Sequence, residues 1–426
     1  MIGLYMVLIL FALFIIRIPI SYALGISSLF GLLMAGTNLE AMAQQMAASV
    51  NYSMLAIPLF LIAGDIMAVG GISKRLVNFA DLLVGHFYGG LGLVVIVSCM
   101  LFSAISGSAI GDAVALGGIL IPAMINRGYK PEFAASIVAS GSMMGPIIPP
   151  SIVLILFGVM TNASIGDLFL AGVIPGIMTG VLLMIYVYFY GRKFNIKERE
   201  TRASMKEVLF GLKDAFLALL LPVIIIGGFR MGVFTATEAG VVAVVYGFIV
   251  AVFFNKELKF KMIPKMLLES TKTTASILFL IATATIFSWI LTFNDVPQIL
   301  SDAITSTLHE KWMILLVVNI ALLIAGTFIE TVPALTIFTP LFFPVMQSIG
   351  MDPVQYGLMI VFNLTIGMIT PPVGICLITT TAIAKTTLLK AVKSFLPQFA
   401  ILLLILGLIT YWPDFSLYLP HVFGNK

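Results

Sequence analysis

Residues 141–150 read GSMMGPIIPP and residues 363–372 read NLTIGMITPP, and the two stretches lie 222 positions apart. Both end in a proline pair, Pro149-Pro150 and Pro371-Pro372, with a glycine four residues earlier. The same offset lays residues 101–175 over 323–397, where five of six prolines meet prolines. Chance would give about 0.6. This repeat indicates a chain built from two related halves.

The composition is that of an integral membrane protein. Sixty per cent of the 426 residues are hydrophobic, 10% are charged, and the mean hydropathy is +1.13. So few charges cannot cover the surface of a soluble domain. The net charge of +4 does not indicate nucleic-acid binding, because the basic residues lie in the predicted membrane loops. Residues 1–16 are predicted as a first spanning helix and not as a cleaved signal peptide.

The basic residues predict the topology. Three loops, 192–213, 256–272 and 385–393, are rich in Lys and Arg, which mark the cytoplasmic side. All three loops face the cytoplasm if 91–125 and 312–347 are re-entrant hairpins that open to opposite sides. The two halves are then inverted, both termini lie outside, and Arg230, Lys311 and Lys426 are the only non-cytoplasmic basic residues. The alternative is that each hairpin is a pair of short crossing helices.

The predicted fold is an all-α membrane protein of two inverted repeats, each with a re-entrant hairpin and a helix broken at a Pro-Pro pair. The first repeat is 1–190, with scaffold helices at about 1–54, the hairpin 91–125 and the broken helix 132–160. The second repeat is 215–412, with scaffold helices 215–254, the hairpin 312–347 and the broken helix 354–382. A basic cytoplasmic connector, 191–214, joins the repeats, and 413–426 form a C-terminal tail.

The hairpin tips and the broken helices carry the candidate chemistry. The tips read SAISGSAIGD at 103–112 and GTFIETVP at 326–333. Proline lacks an N–H and clashes with the preceding turn, so the Pro-Pro pairs open their helices. The freed carbonyls can bind Na⁺, and half-helix N-termini can face an anionic substrate. The simpler interpretation, in which glycine and proline only kink packed helices, stays open.

Four acidic residues fall within apolar stretches or hairpin tips. Asp112 and Glu330 lie at the tips, where they either cap a helix or serve function. Asp65 and Glu238 are predicted to be structural partners of nearby donors. Arg230 is predicted near a membrane surface, either snorkelling or contacting an anion.

With these residues identified, the chain resembles the large membrane subunit of TRAP (tripartite ATP-independent periplasmic) transporters over its whole length. The resemblance rests on IRIPISYALG at 16–25, IPLFLIAG at 57–64, SGSA at 106–109 and the two Pro-Pro segments. It implies a multi-pass symporter of the bacterial inner membrane, driven by sodium, with the elevator fold of the ion-transporter superfamily. It also implies two partners, a small four-helix membrane subunit and a periplasmic substrate-binding protein.

The resemblance further implies two sodium sites and a substrate site. The first sodium site would comprise Ser103, Ser106, Gly141, Met144 and Pro146, and the second Gly326, Thr327, Asn363, Ile366 and Met368. The substrate would lie between the tips near Ser108, Asp112, Thr331 and Thr370. Substrates of the family are small carboxylates, chiefly C4-dicarboxylates and sialic acids, and the general resemblance slightly favours sialic acid.

Two other functions are compatible with the sequence. One is a self-sufficient sodium–carboxylate symporter, which differs from a TRAP subunit only in needing no partner. The other is a membrane-embedded enzyme that uses Asp65, Asp112 or Glu330. The sequence has no paired-carboxylate or metal-ligand spacing, and this counts against such an enzyme. No HExxH, GxSxG or phosphate-binding glycine-lysine motif is present, so neither proteolysis nor ATP hydrolysis is indicated.

Overall fold

A computed structural model describes residues 2–49, 52–197 and 201–424, and these residues form twenty α-helices. The helices up to the central connector are α1 Ile2–Ile15, α2 Ile20–Ala35, α3 Glu40–Ser49, α4 Ala56–Val69, α5 Ile72–Val84, α6 Gly90–Ser106, α7 Ala109–Asn126, α8 Pro131–Ser142, α9 Ile152–Thr161 and α10 Ile165–Lys193. The remaining helices are α11 Met205–Arg230, α12 Ala236–Ile249, α13 Ile263–Phe293, α14 Val296–Thr307, α15 Lys311–Phe328, α16 Thr331–Ser348, α17 Pro353–Gly367, α18 Ile375–Ile383, α19 Leu388–Tyr411 and α20 Pro413–Phe423.

The length and composition of the helices suit a membrane. Within the described ranges, eight helical stretches are long and apolar enough to cross a bilayer. Five shorter apolar helices accompany them, and α6, α9 and α17 of the predicted hairpin and broken-helix regions are among these. An all-helical membrane protein is therefore confirmed.

The offset of 222 residues recurs in the helix boundaries. Helix α7 runs from 109 to 126 and α16 from 331 to 348, so both ends correspond. The helices before them, α6 and α15, end at the equivalent positions 106 and 328. The starts of α8 and α17 and the ends of α9 and α18 also differ by 222. The two halves are therefore built alike, while their inverted orientation in a membrane stays a prediction.

Helix breaks lie where the sequence predicts them. The window 91–125 contains α6 and α7, which pack against each other and meet at Gly107-Ser108. The window 132–160 is interrupted between α8 and α9, and 354–382 between α17 and α18. Both peptide bonds within the Pro-Pro pairs are cis.

Other segments differ from the prediction. The basic loop 256–272 is helical from Ile263 onward, because α13 extends beyond its apolar stretch into polar turns where Lys272 pairs with Glu269 at 2.9 Å. The tail contains α20, and the polar or amphipathic helices α3, α5 and α14 lie outside the strongly apolar stretches. Residues 198–200 of the predicted connector and 425–426 of the tail lie outside the described residues.

Buried polar contacts join α19 to the broken helices of both halves. The Gln398 amide accepts a hydrogen bond from Ser140 at 2.6 Å and donates one to Ser136 at 2.9 Å, both on α8. Gln355 of α17 donates to the Ile409 carbonyl at 2.9 Å. Because breaking such buried bonds is costly, α8, α17 and α19 form one tightly connected unit.

A second set of polar contacts joins the helices that flank this unit. Arg75 of α5 pairs with Asp214 of α11 at 3.2 Å and with Glu257, after α12, at 3.4 Å. Ser270 of α13 donates to Asp65 of α4 at 2.5 Å, so Asp65 is the structural partner that the sequence predicts. Helices α4 and α12 also pack closely, as do α13 and α2.

Candidate functional site

The first hairpin tip is a two-residue turn between α6 and α7. Gly107 closes α6 with φ +62°, a conformation that glycine adopts without steric cost. Ser108 then begins α7 as its N-cap and accepts a hydrogen bond from the Gly111 N–H at 3.2 Å. A Cβ on Gly107 would lie 2.9 Å from the Pro150 carbonyl oxygen, so the tip contacts the first Pro-Pro segment directly.

Asp112 is fully buried immediately behind this tip. Its carboxylate accepts hydrogen bonds from Ser103 at 2.8 Å and from Ser106. Ser108 caps α7, so the alternative that Asp112 provides this cap is wrong. In the described part of the chain, no Lys or Arg forms an ion pair with this carboxylate. The cluster of Asp112, Ser103 and Ser106 is therefore rich in oxygen and has no protein cation.

The first helix break packs against the same cluster. Ser151 caps α9 and donates to the Pro146 carbonyl at 2.5 Å. A Cβ on Gly145 would lie 2.9 Å from a carboxylate oxygen of Asp112 and 2.9 Å from the Ser108 carbonyl carbon. The break between α8 and α9 and the first tip thus meet backbone to backbone at Gly145.

The carbonyls predicted for the first sodium site lie in this region. The Gly141 carbonyl accepts from the Met144 N–H at 3.2 Å, and the Met144 carbonyl from the Ile148 N–H at 2.8 Å. Gly141 also packs against Cys99, which lies one turn before Ser103 on α6. The Met144 carbonyl also accepts from the Ile147 N–H at 3.1 Å, so both of its lone pairs are already engaged.

The second hairpin also contacts the second helix break, through Gly326 near the end of α15. A Cβ on Gly326 would lie 2.9 Å from the Leu364 carbonyl oxygen and 3.2 Å from the Gly367 Cα. The Gly374 N–H reaches the Thr327 carbonyl at 3.5 Å, and the Thr331 hydroxyl lies 2.7 Å from the Met368 sulfur. Three residues predicted for the second sodium site, Gly326, Thr327 and Met368, therefore border this contact.

Two predicted residues of that site have other contacts. The Ile366 carbonyl accepts from the Thr370 hydroxyl at 2.7 Å. The Asn363 amide donates to the Asn319 side chain at 2.7 Å, and its own Oδ1 has no protein partner. Because Asn319 precedes Thr327 by two turns of α15, Asn363 lies about 12 Å along the helix from the tip.

A cavity of about 110 Å³ lies between the two tips. Most of its wall consists of residues equivalent at the 222 offset, namely Ser108 with Glu330, Ala109 with Thr331, Ile110 with Val332, and Pro146 with Met368. Leu61 of α4 and Thr273 and Ile277 of α13 form the facing wall. Of the predicted substrate residues, Ser108 and Thr331 line the cavity, whereas Asp112 and Thr370 do not.

Glu330 lines this cavity without capping a helix. It occupies the N-cap position of α16, but its side chain makes no cap hydrogen bond, so the capping alternative is wrong for this residue. Neither Glu330, a candidate of the second tip, nor Thr273 is among the residues predicted for the substrate site. Glu330 could have been predicted from the offset of 222, because it aligns with Ser108. Thr273 could not, because no sequence pattern indicates that α13 packs against the tips.

Glu238 and Arg230 both lie at the junction of α11 and α12. Glu238 is exposed in the first turn of α12, where it forms a reciprocal capping box with Thr235, so it is a structural partner as predicted. Arg230 ends α11 and lies over the Phe423 ring at 4.5 Å.

Known proteins match the chain over nearly its whole length. Residues 7–415 match the family described as the tripartite ATP-independent periplasmic transporter, DctM component. The C4-dicarboxylate TRAP transporter large permease protein DctM of Pseudomonas aeruginosa is 42% identical over 376 residues, covering 88% of each chain. The sialic acid TRAP transporter large permease protein SiaM of Vibrio cholerae is 38% identical over 407 residues, covering 95% of each.

The fold is also that of a solved transporter. The YdaH transporter of Alcanivorax borkumensis superimposes with a TM-score of 0.63 at 16% identity, covering 89% of this chain and 88% of that one. This similarity concerns the fold alone. The match to the family and the relatives at about 40% identity assign the chain, which is a multi-pass membrane protein belonging to the large permease (DctM) family of TRAP transporters.

Proposed function

We propose that this chain is the membrane permease of a sodium-driven importer of small carboxylates in the bacterial inner membrane. A small four-helix subunit and a periplasmic substrate-binding protein would complete the transporter, and this chain would catalyse no chemical reaction. The observation that carries the proposal is the cavity between the two tips, which both halves of the chain line with equivalent residues. A site at the junction of two repeats is typical of secondary transporters.

The cavity suits a carboxylate. Ala109 and Ile110 are the first residues of α7, and Thr331 and Val332 are the first residues of α16, so two helix N-termini border it. Free N–H groups and the helix dipole favour an anion at such an end. The hydroxyls of Ser108 and Thr331 add polar contacts. C4-dicarboxylate and sialic acid, named for two relatives, are the two substrates to test first.

The cluster at the first tip suits a sodium ion. Na⁺ is a hard cation and prefers oxygen ligands, which Asp112, Ser103 and Ser106 present together with nearby carbonyls. We therefore assign Asp112 to the first sodium site, in addition to the predicted residues, and not to the substrate. At the second tip, Gly326, Thr327 and Met368 form the core of the second site, and Glu330 supplies the negative charge nearby.

Two features support a re-entrant hairpin at 91–125. The first tip is buried by the Pro150 and Gly145 backbone, and Asp112 has no exposed surface. A turn that joins two crossing helices would instead lie at the membrane surface. Irregular backbone inside a bilayer is tolerated where protein buries it, as it does here.

One face of α13 supports an elevator motion. Thr273 and Ile277 on this face border the cavity between the tips, near the basic end of the helix. Farther along the same face, Thr285 and Ser288 line a separate cavity of about 260 Å³. The tips thus lie beside the cytoplasmic part of α13. In the proposed motion they would move to the outer part of this helix, near Thr285 and Ser288, about 17 Å along its axis.

Uptake into proteoliposomes tests the proposal. The chain is reconstituted with its small partner, and uptake of a labelled C4-dicarboxylate or sialic acid is measured with and without an inward Na⁺ gradient and the binding protein. We expect uptake only when the gradient and the binding protein are both present. Gradient-driven uptake by this chain alone would instead make it a self-sufficient symporter, and no uptake of either solute would refute the proposed substrates.

A further inference from the structure

A third cavity shares no lining residue with the cavity between the tips. It has a volume of about 430 Å³. Its walls come from the turn between α9 and α10, the end of α11, the start of α12, and the end of α20 at Phe423 and Gly424. The volume is several times that of the cavity between the tips, so a small organic acid fits within it.

The helix ends around this cavity place it on one side of the membrane. Helix α10 starts at the cavity and ends at Arg192 and Lys193. Helix α11 starts beside the basic connector and ends at the cavity, and α12 starts at the cavity and runs towards Lys256. Because basic ends face the cytoplasm, the cavity lies on the opposite, periplasmic side.

Among the described residues that line the cavity, Arg230 is the basic one and Asp167 the acidic one. The Arg230 guanidinium lies over the Phe423 ring at 4.5 Å, which fixes its plane. Within the described residues, no carboxylate lies within ion-pair distance of Arg230. The ring covers one face of the guanidinium and accepts no hydrogen bond from its N–H groups. These donors therefore remain available to an anion.

Apart from Asp167, whose carboxylate lies in the first turn of α10 and opposes an anion there, the backbone groups of the cavity favour one. The cavity borders the first turns of α10 and α12, capped by Ser164 and Thr235. Ile165 and Gly166 are the first two residues of α10. Their backbone N–H groups have no partner within the helix, since the Ser164 side chain caps the N–H of Asp167. Gly166 is half-buried, and the atoms nearest to a Cβ there would be 3.8 Å or more away, which leaves space beside this residue.

We propose that this cavity is an outer carboxylate-binding site, in which Arg230 holds a carboxylate of the solute before it reaches the tips. The proposal rests on the proposed import of carboxylates. The walls come from α9 and α10, which adjoin the Pro-Pro break, and from α11 and α12, which belong to the flanking helices. A bound solute would therefore lie between the helices next to the Pro-Pro break and the flanking helices. It would lie on the periplasmic side, where the binding protein would deliver it.

A labelling experiment tests the site without requiring transport. Ala163→Cys places a reporter thiol in the wall of the cavity, while the native Cys99 and Cys376 are buried. The full chain is reconstituted in phosphatidylcholine vesicles, whose headgroups carry no net negative charge. The rate of thiol modification is then measured with succinate, with sialic acid, and with succinamide as the uncharged control.

We expect at least one of the two acids to slow modification severalfold, and succinamide to have no effect. Arg230→Gln should abolish this protection, Arg230→Lys should retain part of it, and the matched variant Arg17→Gln should leave it intact. Equal protection in Arg230→Gln, or no protection by either acid, would overturn the proposal. Protection by the ligand-free binding protein alone would assign Arg230 to a protein contact and also overturn it.

This outcome is separable from that of the uptake experiment. Protection without sodium-driven uptake would leave the outer site standing and refute only the proposed coupling. Sodium-driven uptake without protection would refute the outer site and leave the importer standing.

Discussion

At the scale of a single residue, the contacts of Asp112 could not be inferred from spacing along the sequence. Ser103 and Ser106 precede it by nine and six residues, and only the turn at Gly107-Ser108 brings both hydroxyls to its carboxylate. The sequence therefore located Asp112 at the tip but grouped it with the substrate. A buried carboxylate with no protein cation is costly, and a bound sodium ion would offset that cost.

Replacing this carboxylate tests its role. Asp112→Asn keeps the size and most of the hydrogen-bonding capacity of the side chain but removes the charge. We expect the Na⁺ concentration for half-maximal uptake to rise about tenfold or more, since a lost charge-assisted ligand costs about 1.5–3 kcal/mol. The matched variant Asp352→Asn, at the exposed cap of α17, should leave it unchanged, because asparagine also caps helices. An unchanged Na⁺ dependence in Asp112→Asn would remove this residue from the sodium site.

At the scale of elements, glycines set how closely the hairpins approach the broken helices. Gly145 faces the first tip, and Gly326 faces Gly367 at the second. The prolines and glycines behind these breaks were predictable, because their effect on the backbone is local. Helices α5, α14 and α20 were missed, because apolar runs reveal spanning helices and overlook amphipathic or polar ones. Contacts between the tips and α13 depend on tertiary packing, which the offset of 222 cannot reveal.

A pair of glycine substitutions tests the close approach. In Gly145→Ala, the added methyl group would press on the Ser108 backbone, which cannot move as freely as a side-chain end. We expect a destabilisation of about 1–3 kcal/mol, seen as a lower Tm of the purified protein, together with loss of uptake. Gly118→Ala on α7 is the control, because no atom lies within 4 Å of its added methyl group. Equal Tm values for the two variants would contradict the tight contact.

At the scale of the whole molecule, polar contacts help to divide many of the helices into two groups. In the first group, the buried side chains of Gln398 and Gln355 tie α8, α17 and α19 together, and in the second the more exposed Arg75 pairs α5 with α11 and Asp65 pairs α4 with α13. The tips contact the first group through the helix breaks and face α13 of the second across the cavity. This arrangement is what sliding of one group past the other requires.

The inverted orientation of the halves has a direct test. Arg127 directly follows α7, and Gln347 lies in the last turn of the equivalent helix α16. Both side chains are exposed. Single cysteines at these positions should react with a membrane-impermeant thiol reagent from opposite sides of the membrane. Labelling of both from the same side would refute the inverted topology, and a cysteine at Lys206 in the basic connector provides the cytoplasmic reference.

The sliding motion has a separate test. With Val332→Cys in the second tip, a bifunctional thiol reagent should link it to Ile277→Cys when the tips face the cytoplasmic part of α13. The same tip cysteine should link to Thr285→Cys in a fraction of molecules, if the tips travel about 17 Å along this face. The yield of that second link should change with Na⁺ and substrate. Its complete absence in uptake-competent protein would contradict the motion.

The matched but unequal residues around the central cavity bear on how cargo is oriented. A cavity with strict two-fold symmetry would allow a bound molecule two orientations of identical energy, related by rotation. Here Ser108 stands opposite Glu330, Ala109 opposite Thr331, and Pro146 opposite Met368, so the two poses differ in charge and polarity. The two orientations would therefore differ in energy, and a substrate with distinct ends that binds here would be held in one of them.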